Sequence, residues 1–226
     1  VPDQRLYELE KHQTTQRIVH TTVDIVDIPG LIKGQGDSSG SRLLGEIRNT
    51  DALIHVLRCF DDEKLPHIDG SVDPVRDLEN VEFELQMKDI DSVNKKLQRL
   101  ERAARTGDKE AKHGIEILRR YKEHLESFRN AVSLKVKPQE KRLVDDIFLL
   151  TMKPVLYVCN VDEKSAAGGN KYIEAVSAFL KNRDAAPLVI AGALEAEIAT
   201  LSDPADRMEF LQAAGLNEPG VNKLVR

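Results

Sequence analysis

Asp27 and Gly30 are the first residues whose types and spacing suggest chemistry. Residues 22–30 read Thr-Val-Asp-Ile-Val-Asp-Ile-Pro-Gly, a short apolar run closing on an acid, two spacers and a glycine. A carboxylate at the carboxyl end of a buried strand stands where α/β sheets bind ligands. There Asp27 can hold a magnesium ion, usually through water, while the Gly30 N–H faces a terminal phosphate. The Asp-x-x-Gly pattern alone is weak, because Asp37 and Gly40 repeat it with no strand in front. The bland alternative is a solvated strand-end aspartate before a Pro-Gly turn.

Two further turns follow apolar runs. Asn160-Val161-Asp162-Glu163 comes directly after Val155-Leu156-Tyr157-Val158-Cys159. An Asn amide both donates and accepts, so it can tie the edge of a base to neighbouring loops. In guanine-specific proteins this loop reads N-K-x-D, the Lys stem covering the base and the Asp pairing with guanine. Val161 and Glu163 replace both residues, which should weaken selectivity for guanine. Ala191-Gly192-Ala193 follows a third run, and small residues there let backbone amides approach a base. Each turn alone could be an ordinary strand-to-helix connection; their order along the chain favours nucleotide binding. The phosphate-cradling pattern G-x-x-x-x-G-K-[ST] occurs nowhere in the 226 residues.

The elements that must position these turns are legible from periodicity. Strands are expected over 22–27, 52–59, 154–159 and 187–190, with 52–59 covered on both faces. A short helix is expected over 42–48, behind the Gly/Ser loop 34–40. From Pro74 the period becomes helical. Phe83, Met87, Ile90, Val93, Leu97, Leu100 and Ala104 form one apolar seam, and Ala111, Ile115, Leu118, Tyr121, Leu125 and Phe128 a second. Thr106-Gly107-Asp108 lies between them, so an antiparallel hairpin resembling a coiled coil follows. Both seams read as core. A helix from Pro138 to Leu150 and another over 171–181 complete the pattern. Strands alternating with helices on both sides of a helical block predict a mostly parallel α/β sheet with an inserted helical domain. The expected boundaries are 1–73, 74–150 and 151–226.

Composition narrows the classes. There is no Trp and aromatics are 4%, which disfavours a stacking platform for single-stranded nucleic acid. No apolar run approaches the ~18 residues of a membrane helix. Cys59 and Cys159 are too few for a disulfide framework, so a reduced, cytoplasmic protein is expected. The six histidines show no metal-ligand spacing and read as surface or structural. The net charge of −5 hides a local +7 between Asp91 and Arg142, leaving −12 elsewhere. Such segregation suggests two parts with different partners. Val1 opens the chain without a Met, so a segment of a longer protein is expected.

Several blocks together resemble one family, the Obg-related YchF-type P-loop ATPases in the translation-factor class of GTPases. They are residues 26–34, 47–52 and 55–60, Val72-Asp73-Pro74, residues 153–161, and Glu195-Ala196-Glu197-Ile198. The resemblance implies a P-loop NTPase fold interrupted by a coiled-coil domain and a preference for ATP over GTP. It implies hydrolysis of the β–γ bond in a switch linked to translation and the ribosome. Asp27 would then be the magnesium ligand and Gly30 the γ-phosphate amide. Asn160, Val161 and Glu163, with Ala191, Gly192 and Ala193, would border the base. Leu31 stands where Ras-like proteins place a water-orienting Gln, so no catalytic residue is assigned; the loop, an ion such as K+ or a partner would orient water instead. The P-loop would precede Val1 and a TGS domain would follow Arg226, so this chain alone should be inactive. The complete protein would be a monomer that binds ATP or GTP and the ribosome or its RNA, with no membrane. Two other readings stand beside this one: a non-catalytic RNA- or ribosome-binding module using the basic hairpin, and a true Obg-type GTPase.

Overall fold

Near-continuous β-branched and aliphatic runs give three strands: β1 (Leu53–Arg58), β2 (Val155–Asn160) and β3 (Leu188–Ile190). In the computed structural model, which describes residues 4–12, 17–28, 45 and 47–225, these strands form one parallel sheet in the order β1-β2-β3. Leu53 pairs with Val155 and Arg58 with Asn160, and Asn160 in turn pairs with Ile190. All three strands therefore finish at one edge.

Between β1 and β2 lie α2 (Pro74–Ala104), α3 (Lys109–Glu126) and α4 (Pro138–Asp145); α1 (Gln4–Glu10) opens the chain. After β2 come α5 (Glu163–Gly168) and α6 (Lys171–Lys181), and after β3 come α7 (Gly192–Ala199), α8 (Pro204–Ala213) and α9 (Gly220–Val225). Asp73 caps α2 by accepting from the Arg76 N–H, with Pro74 at the first helical position. Gly107, at φ +93°, makes the reversal, and Asp108 caps α3 through the Glu110 and Ala111 N–H groups. The two helices pack along Val93 and Leu97 against Ile117, Leu118, Tyr121 and Leu125. They approach so closely that a Cβ on Gly114 would meet Leu100 Cδ1 at 2.9 Å.

One sheet face is buried. Leu57, Tyr157 and Cys159 pack under Leu78 of α2 and Val176 and Leu180 of α6. Cys59 and Cys159 are free thiols, fully buried there. Two carboxylates of α2 join the hairpin to the rest. Glu82 accepts from Tyr157 Oη at 2.9 Å, Arg183 Nη1 at 2.6 Å and Asn130 Nδ2 at 3.3 Å. Burial, then the Glu82 charge, push Tyr157 up to about 12. Asp89 accepts from the backbone N–H groups of Leu150 and Thr151 and from Thr151 Oγ1, all within 2.8 Å.

Four expectations are corrected. Residues 22–27 are exposed and form no strand, since no described strand lies beside them to complete a ladder. β1 is not covered on both faces: α2 packs on the Leu57 face, while Ile54 and Val56 point to the other and are 41% and 60% exposed. Phe83 and Met87 are each 42% exposed rather than core. They occupy the one row of α2 that faces neither α3 nor the sheet, and Phe83 stacks on Phe128 instead. The helix beginning at Pro138 ends at Asp145, and Phe148, at φ +46°, turns the chain into a short 3-10 turn, Leu150–Met152. Of the helix expected over 42–48, the described residues Gly45, Ile47 and Arg48 are helical.

Asp89→Ala should destabilise the protein by at least about 2 kcal/mol in urea unfolding, because it strands three donors in a dry site. A loss below about 0.5 kcal/mol would contradict that tie. A second expectation concerns pH. Burial lowers the pKa of His55, only partly offset by Glu82 and Asp77, and burial lowers His124 as well. The unfolded imidazoles titrate near ~6.5, so the unfolded chain takes up protons that the folded chain refuses. Stability present above that pH is therefore lost as the pH falls below it. The melting midpoint should fall on going from about pH 7.5 to about 5.5, and His55→Gln should flatten the slope. A slope unchanged by that substitution contradicts the assignment.

Candidate functional site

The sheet's finishing edge brings two of the three expected turns together. Asn160 is the last residue of β2, and its backbone carbonyl accepts from the Cys59 N–H at 2.8 Å. Its side-chain Oδ1 accepts from the Gly192 N–H at 3.0 Å. The Val161 N–H donates to the Ile190 carbonyl at 2.9 Å, so the turn after β2 is held to the end of β3. A Cβ at position 192 would lie 3.1 Å from Asn160 Oδ1. Glycine thus lets α7 begin close against the asparagine, where an alanine would have to push it by a few tenths of an ångström.

The turns then diverge in character. Val161 and Ala191 are buried. Asp162 caps α5 by accepting from the Ser165 N–H at 2.9 Å, and hydrogen bonding with Ser165 holds its carboxyl below the ordinary range. It is spent on the helix. Glu163, the first residue of α5, is exposed. Glu195, one turn into α7, accepts from the Gly220 N–H at 2.6 Å and fixes α9 beside β3.

An open recess of ≈ 270 Å³ lies at this edge, between Asn160, Val161 and Glu163 on one side and Phe60, Asp61 and Asp62 on the other; Ala193 also borders it. Pockets for whole drug-sized ligands run to ~300–1,000 Å³, so this one suits part of a ligand, a single heterocycle. Phe60 went unrecognised from sequence. Arg58 holds its loop, donating to the carbonyls of Phe60 at 3.1 Å, Leu65 at 2.6 Å and Asp62 at 3.3 Å, with its guanidinium 4.9 Å from the centre of the Phe60 ring. The available signal was an Arg and a Phe bracketing the last residue of an apolar run.

Asp27 does not join this group. It is exposed, and its neighbour Ile28 packs against Ile47, Leu85 and Leu150, the last of these on the segment that enters β2. Gly30, Leu31, Asp37 and Gly40 lie outside the described residues. Among the described residues His67, Asp69 and Asp77 do cluster, but Arg76 pairs with both carboxylates and His67 Nε2 with Asp77.

No family model matches the chain. It is 36% identical over 228 residues to the "Ribosome-binding ATPase YchF" of Haemophilus ducreyi and 35% identical over 230 residues to that of Bacillus subtilis. Both alignments cover the whole chain. The fold matches the solved structure of the Schizosaccharomyces pombe YchF GTPase with a TM-score of 0.86 at 25% identity, again over the whole chain. In sequence and in fold the chain is similar to YchF proteins along its whole length. It spans 62% of the Haemophilus relative, 63% of the Bacillus one and 62% of the solved YchF chain. The parallel sheet with its many helices is thus a YchF-type P-loop GTPase-like fold.

Proposed function

We propose that residues 160–163 and 191–193 hold the base of a purine nucleoside triphosphate, and that the complete protein hydrolyses its β–γ bond, preferring ATP to GTP. The hydrogen bond from the Gly192 N–H to Asn160 Oδ1 carries this reading. It occupies the acceptor of the amide and leaves Nδ2 to donate. The ring nitrogen N7, an acceptor in adenine and guanine alike, is a fitting partner. Phe60 and Val161 supply apolar walls. Val161 offers no Lys stem, and Glu163 replaces the Asp that would pair with guanine, which removes the advantage of GTP. The names of the YchF relatives, an ATPase and a GTPase, support hydrolysis in general terms.

The remaining assignments rest on motif resemblance. Asp27 as the magnesium ligand and Gly30 as the γ-phosphate amide need a sheet in which residues 22–27 are paired. Among the described strands β1 has one unpaired edge, where such pairing could form. A ribosomal partner is supported by the relatives' name and by Arg102, Arg105, Lys109 and Lys112, exposed around the hairpin turn. Much of the other basic excess is spent internally, on Lys96 and Arg99 with Asp146, Arg119 with Glu101 and Arg120 with Glu140.

Titration of the full-length protein with mant-ATP, competed by ATP and by GTP, tests the proposal. ATP should compete better than GTP, and Asn160→Ala should weaken both by at least about tenfold, the cost of one lost hydrogen bond at the base. Unchanged affinity in that variant contradicts the site, and stronger competition by GTP points to a true GTPase.

A further inference from the structure

The wall of the recess facing Asn160 is a loop, residues 60–65, and a loop defines a binding surface only if something holds it. Three ties hold this one, and they differ in kind. Arg58 grips three of its carbonyls from within. Asn170 secures its root: Oδ1 caps α6 through the Tyr172 and Ile173 N–H groups, while Nδ2 donates to the Cys59 carbonyl at 2.7 Å. Both ties belong to the folding of the strand end. The third does not. Tyr172 Oη donates to Asp61 Oδ1 at 2.6 Å, with the Lys171 ammonium 4.7 Å from the centre of the tyrosine ring and 3.9 Å from Asp61 Oδ2. The Asp61 side chain is 68% exposed, so this bond closes outside the core.

Its place gives it a use. Asp61 borders the recess and is adjacent in sequence to Phe60, the aromatic residue among those lining it. A short O–H···O⁻ bond at that point sets how far the Phe60 wall stands from Val161 and Asn160. We propose that Tyr172 and Asp61 form a latch that positions the Phe60 wall for the base, so that the affinity for the purine, but not for the phosphates, depends on it. Both are positioning residues acting through Phe60. The inference rests on the nucleotide reading above.

The test uses full-length protein, mant-ATP as the purine probe and inorganic tripolyphosphate as a probe without a base. Tyr172→Phe removes only the hydroxyl, and Asp61→Ala removes the acceptor. Each should weaken mant-ATP about three- to tenfold, and the double variant should be no weaker than the worse single one. Asp61→Asn loses the charge but keeps an acceptor oxygen, so it should bind nearly as the unaltered protein does. Tripolyphosphate affinity should stay the same throughout. The latch is overturned if Tyr172→Phe binds mant-ATP unchanged, if the two substitutions add fully, or if tripolyphosphate weakens in parallel, which would mark general structural damage. Failure of the unaltered protein to bind mant-ATP would instead overturn the nucleotide reading, and the latch with it.

Discussion

Parallel pairing of β2 with both of its neighbours is the constraint on which the rest depends. Because β1, β2 and β3 run the same way in fixed register, Arg58, Asn160 and Ile190 come level at one edge. A parallel strand has to hand its chain to a crossover, so each strand end becomes a turn, and the turns crowd together. From that crowding come the Asn160–Gly192 bond, the Val161–Ile190 bond and the recess opposite Phe60. A slip of one residue in β2 would turn Asn160 to the other face and bury an unpaired amide.

The hairpin is joined to this sheet through charge as well as apolar packing. Glu82 and Asp89 lie two turns apart on α2, and each buries a carboxylate that neighbouring elements must satisfy. Glu82 reaches Tyr157 on β2, three residues before Asn160, and Asp89 collects the turn that leads into the same strand. Burying such groups is costly unless all their partners are present. The base of the arm is therefore specified in one position against β2.

Much of this architecture is legible in the sequence because it depends on local pattern. The hairpin follows from two helical seams separated by Gly107 and Asp108, and α6 spans the expected residues, 171–181. The runs ending at Arg58, Asn160 and Ile190 are strands because aliphatic and β-branched residues crowd there. What fails is whatever depends on neighbours. Residues 22–27 have strand composition, yet no described strand pairs with them. Phe83 and Met87 fit a helical period, but period alone does not say which rows of α2 are covered. The Phe60 loop is invisible because its shape comes from Arg58, Asn170 and Tyr172, the last two more than a hundred positions away. Asn160 was readable through its place after a strand, whereas its link to Gly192 needed the folded sheet.

The claim that the edge of the parallel sheet is a base-binding site is tested most directly by amide chemical shifts in full-length protein, labelled selectively at Val161, Gly192 and Ala193. On addition of ATP the account predicts large shifts at these three positions, and smaller ones at labelled valines of the hairpin such as Val93. Saturable ATP binding that leaves these three amides unmoved, or that moves the hairpin instead, would contradict it.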